Sequence, residues 1–194
     1  LKHIATLKRI RENKTDYRKR KAILIGRHTF ASIRLSNENV LVQIIRPEVK
    51  GDRVLVSAHS RELLRYGWKG SRKSMPACYL VGLLAGKKAL SNGIDSCIVY
   101  TGLGGFTPRV ASCTKGLVDA GVDVRVDEDS LPDEDRIEGK HIAEYASMLH
   151  NEDEDIYKSR FSQLLSNGLR PEDYVEHFKE VKSKILNTYT HGDS

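Results

Sequence analysis

Residues 29–59 hold three β-like runs joined by links too short for anything but tight returns. "TFASIRLS" (29–36) sets Ala31, Ile33 and Leu35 against Phe30, Ser32 and Arg34. "SNEN" (36–39) is a turn, and the β-branched "VLVQII" (40–45) comes directly after it. Pro47 to Gly51 break the chain before "RVLVSAH" (53–59). Period two sends alternate side chains to opposite faces, so one sheet face is apolar and the other, with Arg34, is polar. Short links between such runs imply an antiparallel meander.

The segments after the meander complete a mixed sheet. "YGWKGSRKS" (66–74) reads as a loop, and Ser74 before Met75-Pro76 is a helix start. "PACYLVGLLAGKKALSNG" (76–93) is an apolar helix ending at Gly93, with Gly82 and Gly86 on one face where another element approaches closely. "DSCIVY" (95–100) has the composition of a buried strand; a second helix spans 110–120 and stops at Gly121; "VDVRV" (122–126) is a last short strand. From residue 127 the chain is polar and helical, over 133–149, 152–166 and 171–187, the last with Tyr174, Val175, Phe178, Val181 and Ile185 as an apolar stripe. The expected fold is α/β of the α+β kind. It is a mixed sheet with an N-terminal antiparallel three-strand meander, flanking helices, a basic N-terminal arm (1–21), a core (22–126) and an acidic α-helical C-terminal extension (127–194). The arm's self-repulsion is expected to keep it from folding by itself. The extension is expected to pack on the sheet domain or on a neighbour.

Charge is divided unevenly along this plan. Residues 1–75 carry 19 Lys and Arg against 6 Asp and Glu, whereas residues 76–194 carry 13 against 20, for a net charge of +6. Such a split suits one face built for a polyanion and a remainder kept soluble. An anionic membrane would call for an amphipathic helix with apolar bulk, which the arm lacks, so nucleic acid is favoured. No run of about 18 apolar residues is present, and "LKHIATLKRI" is unlike a secretory leader. Cys78, Cys97 and Cys113 form no C-x-x-C pair and fit buried thiols in a reducing cytosol.

The arm supplies the sharpest candidates. Lys8, Arg9, Arg11, Lys14, Arg18, Lys19, Arg20 and Lys21 offer ammonium groups and guanidinium forks suited to phosphate. Tyr17 offers a ring for stacking on an unpaired base. A second cationic patch, Lys69, Arg72 and Lys73, flanks Tyr66 and Trp68, and Trp68 either joins that surface or caps the core. The turn "TGLGGFTPR" (101–109) lies between a strand and a helix, where backbone amides can meet phosphate. It is neither G-x-G-x-x-G nor a P-loop, which argues against a nucleotide cofactor. An approach of its backbone to an RNA phosphate beside Arg109 and a purely structural turn both remain open. The acids at 127–135 lack the oxygen spacing of a calcium loop and read as solvated linker or helix start. The histidines are scattered, no serine sits in G-x-S-x-G, and nothing around Cys113 marks a nucleophile, so neither catalysis nor a metal site is expected.

Six stretches together carry a resemblance. "TDYRKR" (15–20), "RLSN" (34–37), "SRELLRYGWKG" (60–70), "PACYLVGLLAGKKA" (76–89), "GLGGFTPRV" (102–110) and "GKHIAEYA" (139–146) resemble, in order and spacing, the large-subunit ribosomal protein family that binds 5S ribosomal RNA. That family is called L eighteen in archaea and bacteria and L five in eukaryotes, and "YGWKG" and "HIAEYA" are similar to its long archaeal and eukaryotic form. The resemblance implies a non-catalytic, cytoplasmic ribosomal constituent without cofactor. It implies a place in the central protuberance, anchoring 5S RNA to the large-subunit rRNA beside other ribosomal proteins, including another 5S-binding protein. It implies that Thr15 to Lys21 run along 5S RNA, that the sheet face with Arg27 and Arg34 meets its helices, and that the loop with Gly104, Gly105 and Arg109 is a further contact. Many relatives have an uncharged Thr/Asn-rich stretch where this chain has "SRKSM", so the resemblance does not carry Arg72 and Lys73 over, and "TFASIR" departs from the usual more aliphatic strand. Two other classes fit less well. A ribonuclease-H-like RNA-processing enzyme needs clustered carboxylates at strand ends, where only Asp95 and Asp123 stand; a non-ribosomal adaptor would use the basic tail without regard to its order.

Overall fold

The computed structural model describes residues 6–12 and 14–190. Helices are α1 (Lys8–Arg11), α2 (Tyr17–Gly26), α3 (Met75–Ser91), α4 (Pro108–Asp119), α5 (Glu134–Glu138), α6 (Lys140–Glu152), α7 (Glu154–Arg160), α8 (Ser162–Ser166) and α9 (Tyr174–Thr190). Strands are β1 (Phe30–Leu35), β2 (Val40–Arg46), β3 (Arg53–His59), β4 (Ser96–Tyr100) and β5 (Asp123–Val124).

The meander forms as expected, and the sheet order is β3-β2-β1-β4-β5. β1, β2 and β3 pair antiparallel, with a bulge at Ile44/Ile45, while β1–β4 and β4–β5 are parallel. The parallel pairs arise from the crossovers: α3 carries the chain back before β4, and α4 before β5. One sheet face, with Ala31, Ile33, Val42, Ile44, Val56 and Ala58, packs in a single core with α3 and α4. Those helices cross closely because Gly82 and Gly116 lack side chains. A Cβ on Gly82 would strike the Cys113 backbone carbonyl, and one on Gly116 the Tyr79 carbonyl. Gly86 meets the Ala120 methyl in the same way.

The opposite sheet face is not simply polar. Phe30 and Ile45 bury against Ile23 of α2, with Ile98 and Tyr100 packed alongside, and the Phe30 and Tyr100 rings meet edge-on at 5.4 Å. The second half of the arm is therefore ordered on the sheet of its own chain. Asp16 caps α2, accepting from the amides of Arg18 and Lys19 at 2.9 and 3.2 Å. Arg20 then forks onto Asp52, at 2.6 and 2.5 Å. A cap, a bidentate ion pair and an apolar anchor together offset the repulsion. The expected boundary between residues 21 and 22 falls inside this helix. β4 is also less buried than its composition suggests: only Cys97 is buried, because its outer neighbour β5 is two residues long.

The extension packs on the sheet domain. Tyr174, Phe178, Val181 and Ile185, one face of α9, join the main core with Trp68, Tyr79 and Ile137. The two expected helices over 133–166 are each broken, at Gly139 (φ 82°) and at Phe161, into the pairs α5–α6 and α7–α8. Ala146, Leu149, Tyr157 and Phe161 close a small satellite core between them. Residues 60–66 form a 3₁₀ helix capped by His59. His59 Nδ1 accepts from the Arg61 amide at 3.0 Å, and Glu62 accepts from the His59 amide at 2.9 Å.

Candidate nucleic-acid interface

Because Asp16 and Ile23 fix α2 on the sheet, the arm's cations gain defined positions. Tyr17, Arg18, Lys19 and Lys21 are exposed on α2. Lys19 Nζ also donates to the Gly102 carbonyl at 3.4 Å, tying the glycine-rich loop to the helix. Arg20 is different: Asp52 occupies both arms of its fork, so its first task is to clamp α2 to the loop before β3. That hydrogen bond raises its pKa further, against an opposing effect of burial.

Between the start of α2, the β1 surface and the 101–102 turn lies a groove of about 530 Å³. Arg9, Lys14, Thr15, Tyr17 and Arg20 line it from the arm, Ser32 and Arg34 from β1, and Tyr100, Thr101 and Gly102 from the far side. Arg9 Nε donates to Thr15 Oγ1 at 2.9 Å, and Lys14 pairs with Glu12 at 2.7 Å. Lys8 and Arg11 are exposed on α1, outside the groove. Thus Arg9, Lys14, Thr15, Tyr17, Arg20 and Arg34 come together. Arg27 does not join them. It ends α2 with left-handed φ 51° and lines a separate cavity of about 300 Å³ with His28, Asp123 and Arg125.

The 101–107 loop is a surface feature. Gly104 and Gly105 are exposed, the Gly104 amide donates to the Thr101 carbonyl at 3.1 Å, and Arg109 is half-buried in the first turn of α4. Its two large apolar side chains, Leu103 and Phe106, are 53% and 45% exposed.

The structure divides the 68–73 patch, burying Trp68 and leaving Lys73 exposed. Trp68 is 1% exposed and presents no ring to a nucleotide. It stacks on His177 at 5.2 Å, meets Tyr174 edge-on at 5.6 Å and donates from Nε1 to the Ser71 carbonyl at 3.3 Å. Burying an indole with its N–H satisfied is the more favourable of the two fates left open. Lys69 is bound up in the same docking: its amide donates to His177 Nε2 at 3.0 Å and its Nζ to the Gly168 carbonyl at 3.2 Å. Arg72 faces Glu38 at 3.9 Å, and Lys73 is exposed. This region is where the C-terminal extension meets the core. The cavity of about 540 Å³ beside it shares no lining residue with the arm groove.

The family model for "Ribosomal large subunit proteins 60S L5, and 50S L18" matches residues 2–102. A "Large ribosomal subunit protein uL18" from Thermofilum pendens is 46% identical over 183 residues, spanning 92% of this chain and 92% of its own. Another from Caldivirga maquilingensis is 44% identical over 190 residues, spanning 96% and 92%. The chain belongs to this family. The uL18 likeness extends beyond the family-model match into the helical extension, since both relatives align over more than nine-tenths of the chain. Among the described residues, no helix is long and apolar enough to cross a membrane, and no group of three or more His, Cys, Asp or Glu is placed to hold a metal ion.

Sequence reasoning missed Ser32, Asp52 and Tyr100. Ser32 lies on the β1 face read only as polar, Tyr100 ends a strand read as buried, and Asp52 lies in a loop 32 residues from the arginine it binds. Alternation along β1 does place Ser32 beside Arg34 on one face, which is the signal that was available. Burial raises the pKa of the Tyr100 hydroxyl, with the negative charge of Asp16 adding to it, so the group stays a neutral donor.

Proposed function

We propose that this chain is a structural, non-catalytic constituent of the large ribosomal subunit, binding 5S ribosomal RNA in the cytoplasm and anchoring it to the large-subunit rRNA in the central protuberance. Neighbouring large-subunit proteins, including a second 5S-binding protein, are its remaining partners, and no cofactor is required. The observation that carries this reading is the convergence of the arm and the sheet on one cationic surface. α2 holds Arg18, Lys19 and Lys21 outward, and the groove beside it gathers Arg9, Lys14 and Arg34. Phosphates of a folded RNA fit such a surface, because cations on a fixed helix and strand match a fixed backbone path. The family names of the relatives support the same reading. Neither the adaptor nor the ribonuclease-H-like alternative gains any support from them.

Arg27, the loop with Gly104, Gly105 and Arg109, and Lys73 with Arg72 are proposed as outlying contacts. None of these residues lines the arm groove.

The test is a gel-shift titration of the full chain with 5S ribosomal RNA, and in parallel with transfer RNA, at low and moderate salt. A preference for 5S RNA that survives moderate salt is expected. Replacing Arg18, Lys19 and Lys21 together by Ala should weaken binding at least about tenfold and flatten the log–log salt slope by roughly 2 to 3. Equal binding to both RNAs that vanishes as salt rises would reduce the arm to a general polycation.

A further inference from the structure

The groove between α2 and β1 has a chemistry that phosphate binding alone does not use. A site for the RNA backbone needs cations on an open surface. This one is a recess of about 530 Å³, inside the range of small-ligand pockets. Its lining includes the hydroxyls of Ser32 and Tyr100. Ser32 is a buried residue, and neither hydroxyl has a hydrogen-bond partner among the described residues. Both hydroxyls reach the recess and are open to a ligand that brings its own donors and acceptors. Two aromatic side chains, Tyr17 and Tyr100, line the recess as well. Arg34 and Arg9 are cations there with no carboxylate partner among the described residues. Among the described residues the only carboxylate in the lining, Asp52, is already held by both arms of Arg20.

Aromatic surface, free hydroxyls and cations in one recess match the parts of a nucleotide: a base to stack, base edges or a 2′-hydroxyl to hydrogen-bond, and a phosphate to neutralise. The cavity near Trp68 has similar volume, but there Lys69 and Arg72 are engaged by Gly168 and Glu38 and the indole is buried. It offers no comparable set.

We propose that the α2–β1 groove holds a single unpaired nucleotide of the bound RNA, its base against Tyr17 and Tyr100, its polar edge or 2′-hydroxyl on Ser32 Oγ, and its phosphate toward Arg34 and Arg9. This rests on the RNA-binding reading above and adds to it a site where one nucleotide is read, apart from the helical cations that only meet phosphate. Ser32 is then a specificity-determining residue, and the Arg20–Asp52 clamp positions the wall formed by α2.

The experiment uses the full chain with a 5S ribosomal RNA transcript. Ser32→Ala removes a hydroxyl and leaves packing nearly unchanged, and an unaltered thermal melt verifies this. Expected is an affinity loss of roughly three- to tenfold at fixed salt, with the salt slope unchanged, because no cation is lost. Arg34→Ala should lower affinity and flatten the slope by roughly 0.7 to 0.9. Ultraviolet crosslinking of the wild-type complex, with peptide and nucleotide mapping, should join one nucleotide to the segment containing Tyr17 or to that containing Tyr100. Native affinity in Ser32→Ala, with crosslinks confined to segments outside the groove, would overturn the nucleotide site while leaving RNA binding standing. Failure of the wild-type chain to bind 5S RNA would bring down the functional reading itself.

Discussion

His177 shows how one side chain can join two parts of the molecule and make that junction sensitive to pH. It stacks on Trp68 at 5.2 Å, and its Nε2 accepts the Lys69 amide at 3.0 Å, which only a neutral imidazole can do. Burial lowers its pKa; Glu180 opposes that, and Lys69 and Lys184 lower it further. The unfolded chain takes up a proton near the ordinary value of about 6.5 while the folded imidazole stays neutral. Its contribution to folding is therefore complete above that pH and is lost as pH falls through it toward the lower folded value. Burial lowers His59 and His141 in the same direction. Melting temperature should fall between about pH 7.5 and about pH 5. A His177→Gln chain should start less stable and lose less across the same interval. An unchanged pH dependence in that variant would place the effect on the other two histidines or on the carboxylates.

At the level of elements, the α3–α4 crossing is the least tolerant contact in the fold. Gly82 and Gly116 face backbone, which cannot swing aside as a side chain does. Gly82→Ala should cost about 3 kcal/mol, the upper part of the overpacking range, read from urea unfolding midpoints. Gly105→Ala, with nothing within 4 Å of the added methyl, is the control and should be near neutral. A small loss at Gly82 would mean that the helices can part without cost. This crossing was legible in the sequence, because two glycines four apart in an apolar helix mark a close approach. The meander was legible from its period and its short links, and α9 from an apolar stripe that does enter the core. Other elements were hidden for physical reasons. α2 carries so many cations that its repulsion dominates any local reading; the cap at Asp16 is local, but the anchor at Phe30 and Ile45 and the clamp at Asp52 are long-range. Gly139 divides a pattern that looks continuous, because its left-handed φ is a property of the turn and not of the periodicity. As for the site, the cations on α2 were evident from composition. The assembly of Arg9, Lys14 and Arg20 with Ser32, Arg34 and Tyr100 into one groove depends on strand pairing that no single segment reveals. Trp68 marks the opposite case: cationic neighbours suggested a surface ring, and a helix more than 100 residues later buries it.

For the molecule as a whole, the question is whether the acidic extension is an appendage or part of the same folding unit. The basic half and the acidic half differ in charge, but the apolar core crosses between them. Tyr174, Phe178, Val181 and Ile185 of α9 lie in one cluster with Trp68, Tyr79 and the sheet residues. Burial of each such side chain is worth roughly 1.5–3 kcal/mol, and small domains have a total stability of about 5–15 kcal/mol. Losing four of them, with Ile137 besides, would consume most of that margin. The polar links act in the same sense: the Tyr174 hydroxyl meets Ser74 Oγ at 3.2 Å at the start of α3, and the Lys69 amide donates to His177 Nε2 at 3.0 Å. The full chain is therefore expected to unfold in one calorimetric transition. A chain ending at residue 132 should melt at a markedly lower temperature and bind a hydrophobic dye, since Trp68 and the outer face of α3 would be bared. Two resolved transitions in the full chain, or an unchanged melt in the shortened one, would instead make the extension an independent unit. The distinction bears on function, because the extension holds the 68–73 loop and α3 in place, and α3 supports the sheet whose other face carries the arm.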